Sequence, residues 1–374
     1  MIYISNTTIP SKTANTYQSF QMCQAFAEFT NVFFYFPGGV NFKRNENYFT
    51  KYGSIDSFKL TPIYSINLFK TISPKIWFKL KSFSFNLFLV IKILFNNDSS
   101  QVIYSRASST FKVLNFLKKI RVLKNRVYLE IHDFKLSYSK LKDIDGFIVL
   151  NQILENKFAK IGLKNVLVAH DGVNLENFKK VDAKIARKKL GLDFNKIYCT
   201  YSGRFTTMNI EKGIPDIIKS FKYINDSRVI FLFIGGPMES IYDYKNLINN
   251  LSFNQENFIF IDYQDLKTLN LYLNASDILL MPFPNTIHFS ENMSPLKMFE
   301  YMAIGKPIIA SSLPTITEVL NNEMAFICKP DDPKSIGDQI LKAISEPFKP
   351  KSTIEEVKLY TWTNRANQIL NFIE

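Results

Sequence analysis

The chain has 374 residues, which is too many for one ordinary hydrophobic core and suits two domains of common size. Hydrophobic residues make up 46% of the chain and charged residues 21%, and 35 residues are phenylalanine, so the composition excludes a disordered protein. The formal net charge of +13 indicates an anionic substrate, membrane surface or polyanion as a partner, unless it serves only solubility.

The first half of the chain has six predicted β-strands, with helical stretches between most of them. The first is a short apolar run that turns polar at once, without the basic start and longer apolar core of a signal peptide. Short apolar runs separated by helical segments indicate the strands of an α/β domain. The predicted strands are at 2–5, 32–36, 101–105, 126–131, 146–151 and 166–170.

One segment of the first half, 75–95, combines aromatic and aliphatic residues with lysines. Four lysines interrupt it, so it does not supply the roughly 20 uninterrupted apolar residues of a transmembrane helix. It suits a helix that lies in a membrane interface, with apolar residues inserted and lysines facing anionic headgroups. The alternative is a buried domain helix with a basic outer face, and we favour membrane contact. The four lysines are Lys75, Lys79, Lys81 and Lys92.

The second half alternates short β-rich runs with helical ones in a regular series. Such alternation is typical of βαβ units on a parallel sheet, and the series is long enough for one doubly wound domain. A domain boundary is predicted at 175–193, and a last helix at 354–373. Strands are predicted at 197–201, 229–234, 258–262, 278–282, 307–311 and 325–328, and helices at 214–224, 242–251, 266–273, 295–304 and 333–345.

The densest group of candidate site residues begins at Ser294 and Pro295. Proline is favoured at the first position of a helix, so this pair predicts a helix that starts at Pro295. The free amides of the next residues, Leu296 and Lys297, then suit a diphosphate in front of the helix. Glu300 follows about one and a half turns later, where its carboxylate can accept hydrogen bonds from two ribose hydroxyls.

Two cations follow the first predicted strand of the second half. Arg204 comes directly after Gly203, and Lys212 precedes Gly213 at the start of the next helix. Because ligands of doubly wound sheets bind at the carboxyl ends of the strands, both cations are predicted to face the same ligand as the helix at Pro295. Arginine and lysine both stabilise a leaving diphosphate, so we predict a two-cation clamp.

Metal sites and disulfides are not indicated. Two pairs of nearby aspartates fit solvated loops better than a metal site, and three separated cysteines form no CxxC pair, which suits a reducing cytoplasm. Two cations and a helix N-terminus can do the work of a divalent ion on a diphosphate, so we expect no metal requirement. The residues concerned are Asp143, Asp145, Asp331, Asp332, Cys23, Cys199 and Cys328.

These motifs resemble those of glycosyltransferase family 4, whose members have the GT-B fold. The similarity covers nearly the whole chain and is strongest at 201–311. It also includes 171–178, which is similar to the family's interdomain motif, and 360–362, which is similar to the aromatic start of its final helix. The motifs that match within 201–311 are Gly203-Arg204, Lys212-Gly213 and Glu300 with Ala303-Ile-Gly-Lys-Pro307.

The resemblance implies an α/β fold of two Rossmann-like, doubly wound domains that face a central cleft. It places the acceptor-side domain at 1–178 and the nucleotide-sugar domain at 179–353, with a C-terminal helix at about 354–374 that packs back on the first domain. The implied reaction is a retaining transfer of a hexosyl group from a UDP- or GDP-sugar to a hydroxyl of a saccharide, without a cofactor.

The resemblance also implies roles for single residues. His132 matches a histidine that contacts the donor sugar, and with Arg204 and Lys212 it forms the predicted catalytic set. Asn292 stands where the family has a glutamate that holds the sugar's hydroxyls, so this chain lacks a charge there. The residues predicted to bind the donor are Gly203, Gly235, Gly236, Tyr263, Gln264, Asn292, Ser294, Leu296, Lys297 and Glu300.

Two other functions remain open at this stage. A sugar-nucleotide 2-epimerase shares the GT-B architecture but needs several carboxylates around the sugar, and a catalytically silent partner subunit is suggested by Asn292. Nucleic-acid binding is disfavoured because the lysines are dispersed and no recognised motif accompanies them. We expect a bacterial enzyme of polysaccharide biosynthesis on the cytoplasmic face of the inner membrane, with an acceptor that is lipid-linked or a lipopolysaccharide or capsule precursor.

Overall fold

The computed structural model describes the chain except for residues 12, 39–41, 44–45, 67–72, 97, 208, 347 and 349, and it describes only the backbone of residues 74, 75, 350 and 351. The chain divides into two compact units. Unit 1 comprises Met1–His170 and Trp362–Glu374, and unit 2 comprises Asp171–Thr361. The first crossing between them therefore lies at 170/171, where the sequence analysis has 178/179, and the second at 361/362, where it has 353/354.

Unit 1 is built on a sheet of seven parallel strands in the order β3-β2-β1-β4-β5-β6-β7. Its elements in chain order are β1 (Ile2–Ile4), α1 (Ala14–Ala27), β2 (Phe33–Gly38), α2 (Tyr48–Lys51), β3 (Lys59–Tyr64), α3 (Pro74–Phe95), β4 (Ile103–Ser105), α4 (Phe111–Lys119), β5 (Val127–Ile131), β6 (Gly146–Val149), α5 (Gln152–Lys160) and β7 (Val166–Val168).

The six predicted strands of unit 1 are present, and β3 was missed. The central strands β1, β4, β5 and β6 are buried along their whole length, as expected for apolar runs in a parallel sheet with both faces covered. β3 contains Pro62, which argues against a central strand because proline has no amide to donate. The structure places β3 at the edge of the sheet, where proline is tolerated.

Unit 2 is built on a sheet of six parallel strands in the order β12-β11-β8-β13-β14-β15. Its elements are α6 (Ala183–Leu190), β8 (Ile197–Arg204), the hairpin strands β9 (Thr206–Thr207) and β10 (Ile210–Glu211), α7 (Ile214–Ser220), β11 (Val229–Gly236), α8 (Ile241–Asn250), β12 (Phe258–Ile261), α9 (Leu266–Ala275), β13 (Ile278–Met281), α10 (Ile287–Glu291), α11 (Leu296–Ile304), β14 (Ile308–Ser311), α12 (Pro314–Thr317), β15 (Phe326–Cys328), α13 (Pro333–Ser345) and α14 (Pro350–Glu356).

The predicted last helix at 354–373 is in fact interrupted. α14 ends at Glu356, a short 3-10 turn follows, and a separate helix, α15 (Trp362–Ile373), belongs to unit 1. Val173 donates its amide to the Tyr360 carbonyl, which ties the turn to the first residues of unit 2. Only the part from Trp362 onward therefore returns to the first unit.

Each sheet has one point at which the strand order reverses. In unit 1 the reversal lies between β1 and β4, and in unit 2 it lies between β8 and β13. Ligands of open α/β sheets bind beyond the carboxyl ends of the strands at such a point. A ligand of unit 2 is therefore expected beside the residues at the carboxyl ends of β8 and β13.

Helix α3 presents an apolar face to solvent, and one prediction about it was wrong. Phe85, Leu89 and Ile93 pack into the core of unit 1, whereas Phe83 is 67% and Phe95 is 85% exposed. Lys79 and Lys92 are exposed, as predicted for lysines facing headgroups. Lys81 is buried, with its ammonium 5.1 Å from the centroid of the Trp77 ring, so it does not belong to the exposed basic set. Lys75 lies outside the described side chains.

Among the helices of the described residues, none is both long enough and apolar enough to cross a bilayer.

Candidate active site

The carboxyl end of β8 is shaped by two glycines that face each other across neighbouring strands. Gly235 of β11 pairs with Gly203 of β8, and Gly236 pairs with Arg204. A Cβ atom on Gly235, whose φ is +139°, would lie 2.0 Å from the Gly203 carbonyl oxygen, so only glycine fits. The packing of these strand ends leaves Arg204 exposed at the reversal point of the sheet.

Lys212 follows the β9–β10 hairpin and comes beside Arg204. Its amide donates to the Phe205 carbonyl at 2.9 Å, which fixes the chain directly after β8. Gly213 then caps α7, so close to the Pro282 carbonyl that a side chain has no room. Burial, and next the charge of Arg204, lower the pKa of Lys212 to about 8. The two predicted clamp residues are thus close enough to affect each other's charge.

The helix that follows Pro295 starts one residue later than predicted. Pro295 is the N-cap with an extended ψ of 120°, and α11 begins at Leu296. The amides of Leu296 and Lys297 are therefore those of the first two helical residues, which have no partner within a helix. The Ser294 hydroxyl is buried and accepts a hydrogen bond from the Asp171 amide at 2.9 Å, so it has a structural contact that the sequence did not predict.

Asn292 lies between α10 and α11, in the loop that precedes the helix. The five-residue helix α10, which ends at Glu291, was not predicted from the sequence. The Asn292 Oδ1 atom is buried and has no hydrogen-bond partner among the described residues. A buried acceptor without a partner is costly unless a ligand supplies one.

The Lys297 side chain is the largest feature that the sequence analysis overlooked, because only its amide was predicted to bind. Its ammonium is buried, 3.4 Å from the centroid of the Tyr201 ring and 5.3 Å from that of Phe283. Burial, then the charge of Lys212, hold the pKa of Lys297 well below its usual value, while Glu300 opposes this shift.

Glu300 and Tyr263 complete the group around these cations. Burial raises the pKa of Glu300 to about 7, against the effect of Lys297. Burial and the charge of Glu300 raise the pKa of Tyr263, while Arg204 lowers it, so the Tyr263 side chain lies near both. Gln264 donates to the Asp262 carbonyl at 2.9 Å and is held in the same loop. These residues come from separate predicted motifs and gather in unit 2.

Unit 1 contains a second polar cluster, centred on the buried Glu130. This carboxylate accepts a hydrogen bond from Tyr104, and its Oε1 atom lies 3.3 Å from Arg365 Nη2 and 3.9 Å from Arg106 Nε. The His132 Nε2 atom is 2.6 Å from the same Oε1. Burial opposes ionisation of Glu130, but Arg365, Arg106 and His132 together hold its pKa well below the usual range.

This cluster fixes the predicted catalytic histidine. Because Glu130 is ionised it must accept, so the His132 Nε2 atom donates and the Nδ1 atom of a neutral ring is left as the acceptor. Glu130 lies in β5, and His132 comes directly after the last residue of that strand, so the two side chains are close in the chain. A glutamate inside a buried strand was a usable signal for a buried cation. Its partner Arg365 is 235 residues away in sequence, and no local pattern reveals it.

The aspartate pairs have structural contacts. Asp145 accepts a hydrogen bond from the Val127 amide at 2.7 Å and forms an ion pair with Lys118. Asp143 accepts a hydrogen bond from the Asn115 side-chain amide. Asp332 caps α13, and Asp331 accepts from the Asn285 amide at 3.0 Å. Within the described part of the chain, no group of three or more potential metal ligands is found.

Comparison with known proteins supports a glycosyltransferase. Residues 182–359 match the family model described as "Glycosyl transferases group 1". A protein of the cps region of Klebsiella pneumoniae, itself uncharacterised, is 23% identical over 237 residues, which are 61% of this chain and 57% of that protein. A D-inositol 3-phosphate glycosyltransferase of Nocardioides sp. is 20% identical over 224 residues, 55% of this chain and 47% of the relative. The chain thus spans about half the length of the curated relatives it matches.

Solved structures extend the likeness over the whole chain. Sucrose-phosphate synthase of Thermosynechococcus elongatus has a TM-score of 0.79 at 17% identity, covering 100% of this chain and 97% of that one. HepE of Anabaena, solved in complex with UDP-glucose, has a TM-score of 0.70 at 13% identity, covering 100% and 98%. At these identities the likeness concerns the fold. The protein has the two parallel-sheet α/β domains of the GT-B glycosyltransferases, and its residues 182–359 match glycosyl transferases group 1.

Proposed function

We propose that this chain is a retaining glycosyltransferase of family 4 that moves a sugar from a nucleoside diphosphate sugar to a hydroxyl of a saccharide acceptor. The observation that carries the proposal is the pair Arg204 and Lys212 at the reversal point of the unit 2 sheet, within the matched residues 182–359. Two neighbouring cations repel each other, so their proximity indicates an anionic ligand. A diphosphate fits that requirement.

The proposed chemistry is departure of the diphosphate from the anomeric carbon. Arg204 and Lys212 neutralise the charge that develops on the leaving oxygen, and the amides at the start of α11 add to this effect. The acceptor hydroxyl attacks the oxocarbenium-like sugar on the face that the diphosphate leaves, and the leaving phosphate takes its proton. Protein cations supply the positive charge, so the proposal includes no divalent metal and no cofactor.

Other residues of the proposal bind rather than react. Asn292, with its buried and unpartnered Oδ1, accepts a hydrogen bond from a hydroxyl of the donor sugar. Glu300 accepts from the ribose, and Tyr263 and Gln264 contact the base. The resemblance to family 4 assigns His132 to the donor sugar, and the link to Glu130 at 2.6 Å is consistent with a ring held in one orientation.

A binding screen tests this proposal most directly. Purified protein is titrated calorimetrically with UDP, GDP and their sugars, first with excess chelator and then with magnesium. We expect binding of one nucleoside diphosphate with and without metal, followed by transfer that retains the anomeric configuration. Absence of binding to any nucleotide, or binding that requires magnesium, would contradict the proposal. Release of an epimerised free sugar would instead support the 2-epimerase alternative.

For the acceptor we propose a lipid-linked saccharide or a lipopolysaccharide or capsule precursor, reached from the cytoplasmic face of an anionic membrane. The support is the exposed apolar face of α3, flanked by Lys79 and Lys92, together with the net charge of +13. Apolar side chains that insert and lysines that meet headgroups are the two features of an interfacial helix. The relative from the Klebsiella cps region is consistent with polysaccharide synthesis.

A further inference from the structure

The Lys297 ammonium is in an unusual position for a lysine. Its Nζ atom is buried and has no hydrogen-bond partner among the described residues. A buried charge without a hydrogen bond costs free energy that the rest of the fold must supply. The face of the Tyr201 ring, 3.4 Å away at its centroid, offsets part of this cost through a cation–π interaction. The Tyr201 hydroxyl donates to the Arg204 carbonyl at 2.7 Å, so this ring is held in place.

The neighbouring charges do not satisfy Lys297. Glu300 is three residues further along α11, but no ion pair within 4.0 Å and no hydrogen bond joins these two described side chains. The pKa of Glu300 is raised to about 7 by burial, so near neutral pH it carries only part of a charge. The other charge that acts on Lys297, that of Lys212, is positive and repels an ammonium. The group is therefore short of negative charge.

The Lys297 ammonium lies beside Gly203, which has no side chain. A Cβ atom placed on Gly203 would be 3.6 Å from Lys297 Nζ, and its φ of +114° disfavours any other residue. A ligand oxygen that reaches this face of Gly203 comes within reach of Nζ. Asn292, at the other end of the loop before α11, holds a second buried polar atom without a partner. An unmatched donor and an unmatched acceptor thus lie near the start of one helix.

We propose that the Lys297 ammonium binds an oxygen of the donor's diphosphate, as a third cation beside Arg204 and Lys212. The inference rests on the proposed function. It adds that a lysine at position 297 strengthens the binding of the donor. The diphosphate supplies the charge that the site lacks and gives the buried ammonium its missing hydrogen bond. Free protein carries the cost of burial, and the ligand removes it.

The test is Lys297→Met, which keeps most of the apolar stem and the contact with Tyr201 but removes the charge. Affinity for the nucleoside diphosphate should fall about tenfold to a hundredfold, the range for a lost hydrogen bond to a charged group. The melting temperature of the free protein should be equal or higher, because an uncompensated buried charge is gone. Lys297→Met should weaken the binding of a nucleoside monophosphate less than that of the diphosphate, because the monophosphate has one phosphate fewer.

Lys306→Met is the matched control. Lys306 is also partly buried, burial also lowers its pKa, and it follows the other end of α11. It should leave nucleotide affinity unchanged. Lys297→Gln serves as a second uncharged variant should Lys297→Met fold poorly, and it should bind the diphosphate more weakly than wild type.

Two results would overturn the inference. If wild type binds a nucleoside diphosphate and Lys297→Met binds it equally well, or if the variant only lowers the melting temperature, Lys297 serves packing alone. If wild type binds no nucleoside diphosphate, the proposed function fails and this inference fails with it.

Discussion

Arg204 and Lys212 are the residues on which the proposed transfer depends most. Replacing either with alanine should lower kcat/KM by roughly 10²-fold or more, because each removes a preorganised contact to a developing anion. Initial rates with the nucleotide sugar measure the effect. Lys219→Ala is the control, since Lys219 lies on α7, pairs with Asp216 at 3.6 Å and has no place in the site. Rates within a few-fold of wild type for both clamp variants would contradict the clamp.

The pKa values of Glu300 and Lys212 predict a pH profile for the same reaction. As pH rises through about 8, Lys212 of the free protein loses its proton and a positive charge disappears, so kcat/KM should fall. As pH falls through about 7, Glu300 gains a proton and loses its charge, so kcat/KM should fall there too. Glu300→Gln should abolish the acid limb and leave the alkaline one. An acid limb that persists unchanged in this variant removes Glu300 from the site.

At the scale of residues, the sequence predicted which side chains lie together only where a local pattern places them close in the chain. Gly203-Arg204 ends β8 and Lys212-Gly213 follows that strand closely in the chain, so their proximity could be predicted from the sequence. The burial of the Lys297 ammonium could not be predicted, because it depends on Tyr201 within β8 and on Phe283 just after β13. The link between Glu130 and Arg365 could not either, since it joins β5 to a helix at the far end of the chain.

At the scale of elements, the pattern of apolar runs and turn residues predicted most strands, but not the boundary of every element. β3 was missed because Pro62 interrupts it, and edge position is a property of the whole sheet rather than of the segment. The break between α14 and α15 was missed because both flanking segments have helical character. The sequence predicted Lys81 to face headgroups, yet its side chain is buried and its ammonium lies 5.1 Å from the centroid of the Trp77 ring.

Helix α3 is predicted to bind anionic membranes. We expect cosedimentation with anionic liposomes that weakens at high salt, because each exposed lysine near the surface adds about 1 kcal/mol that salt screens. Lys79→Gln with Lys92→Gln should reduce binding, and Phe78→Ser with Phe83→Ser should reduce it at any salt concentration. Phe116→Ser is the control, because Phe116 is 58% exposed on α4 and outside α3. Failure of the wild-type protein to bind, or full binding by both double variants, would contradict the proposed contact.

At the scale of the whole molecule, Arg365 ties the last helix to the sheet of unit 1. Its Nε atom donates to the His170 carbonyl at 2.8 Å, and its guanidinium pairs with the buried Glu130. Arg365→Met should lower the free energy of unfolding of unit 1 by about 3–5 kcal/mol, because it leaves Glu130 short of positive charge in the core. Urea denaturation measures the change.

Arg228→Met gives the comparison for that experiment. Arg228 pairs with Asp226 at 2.6 Å on the surface of unit 2, and solvent-exposed ion pairs contribute little to stability. If Arg365→Met is no more destabilising than Arg228→Met, the Glu130 cluster does not hold unit 1 together.

The split of unit 1 between the two ends of the chain sets an order of assembly during translation. Residues 171–361 form one unbroken stretch of the chain and can complete their sheet as soon as they leave the ribosome, whereas the first 170 residues still lack the helix that follows. Until Trp362–Ile373 is synthesised, Glu130 has no Arg365 to pair with. The unit whose synthesis begins first is therefore the one whose synthesis is completed last.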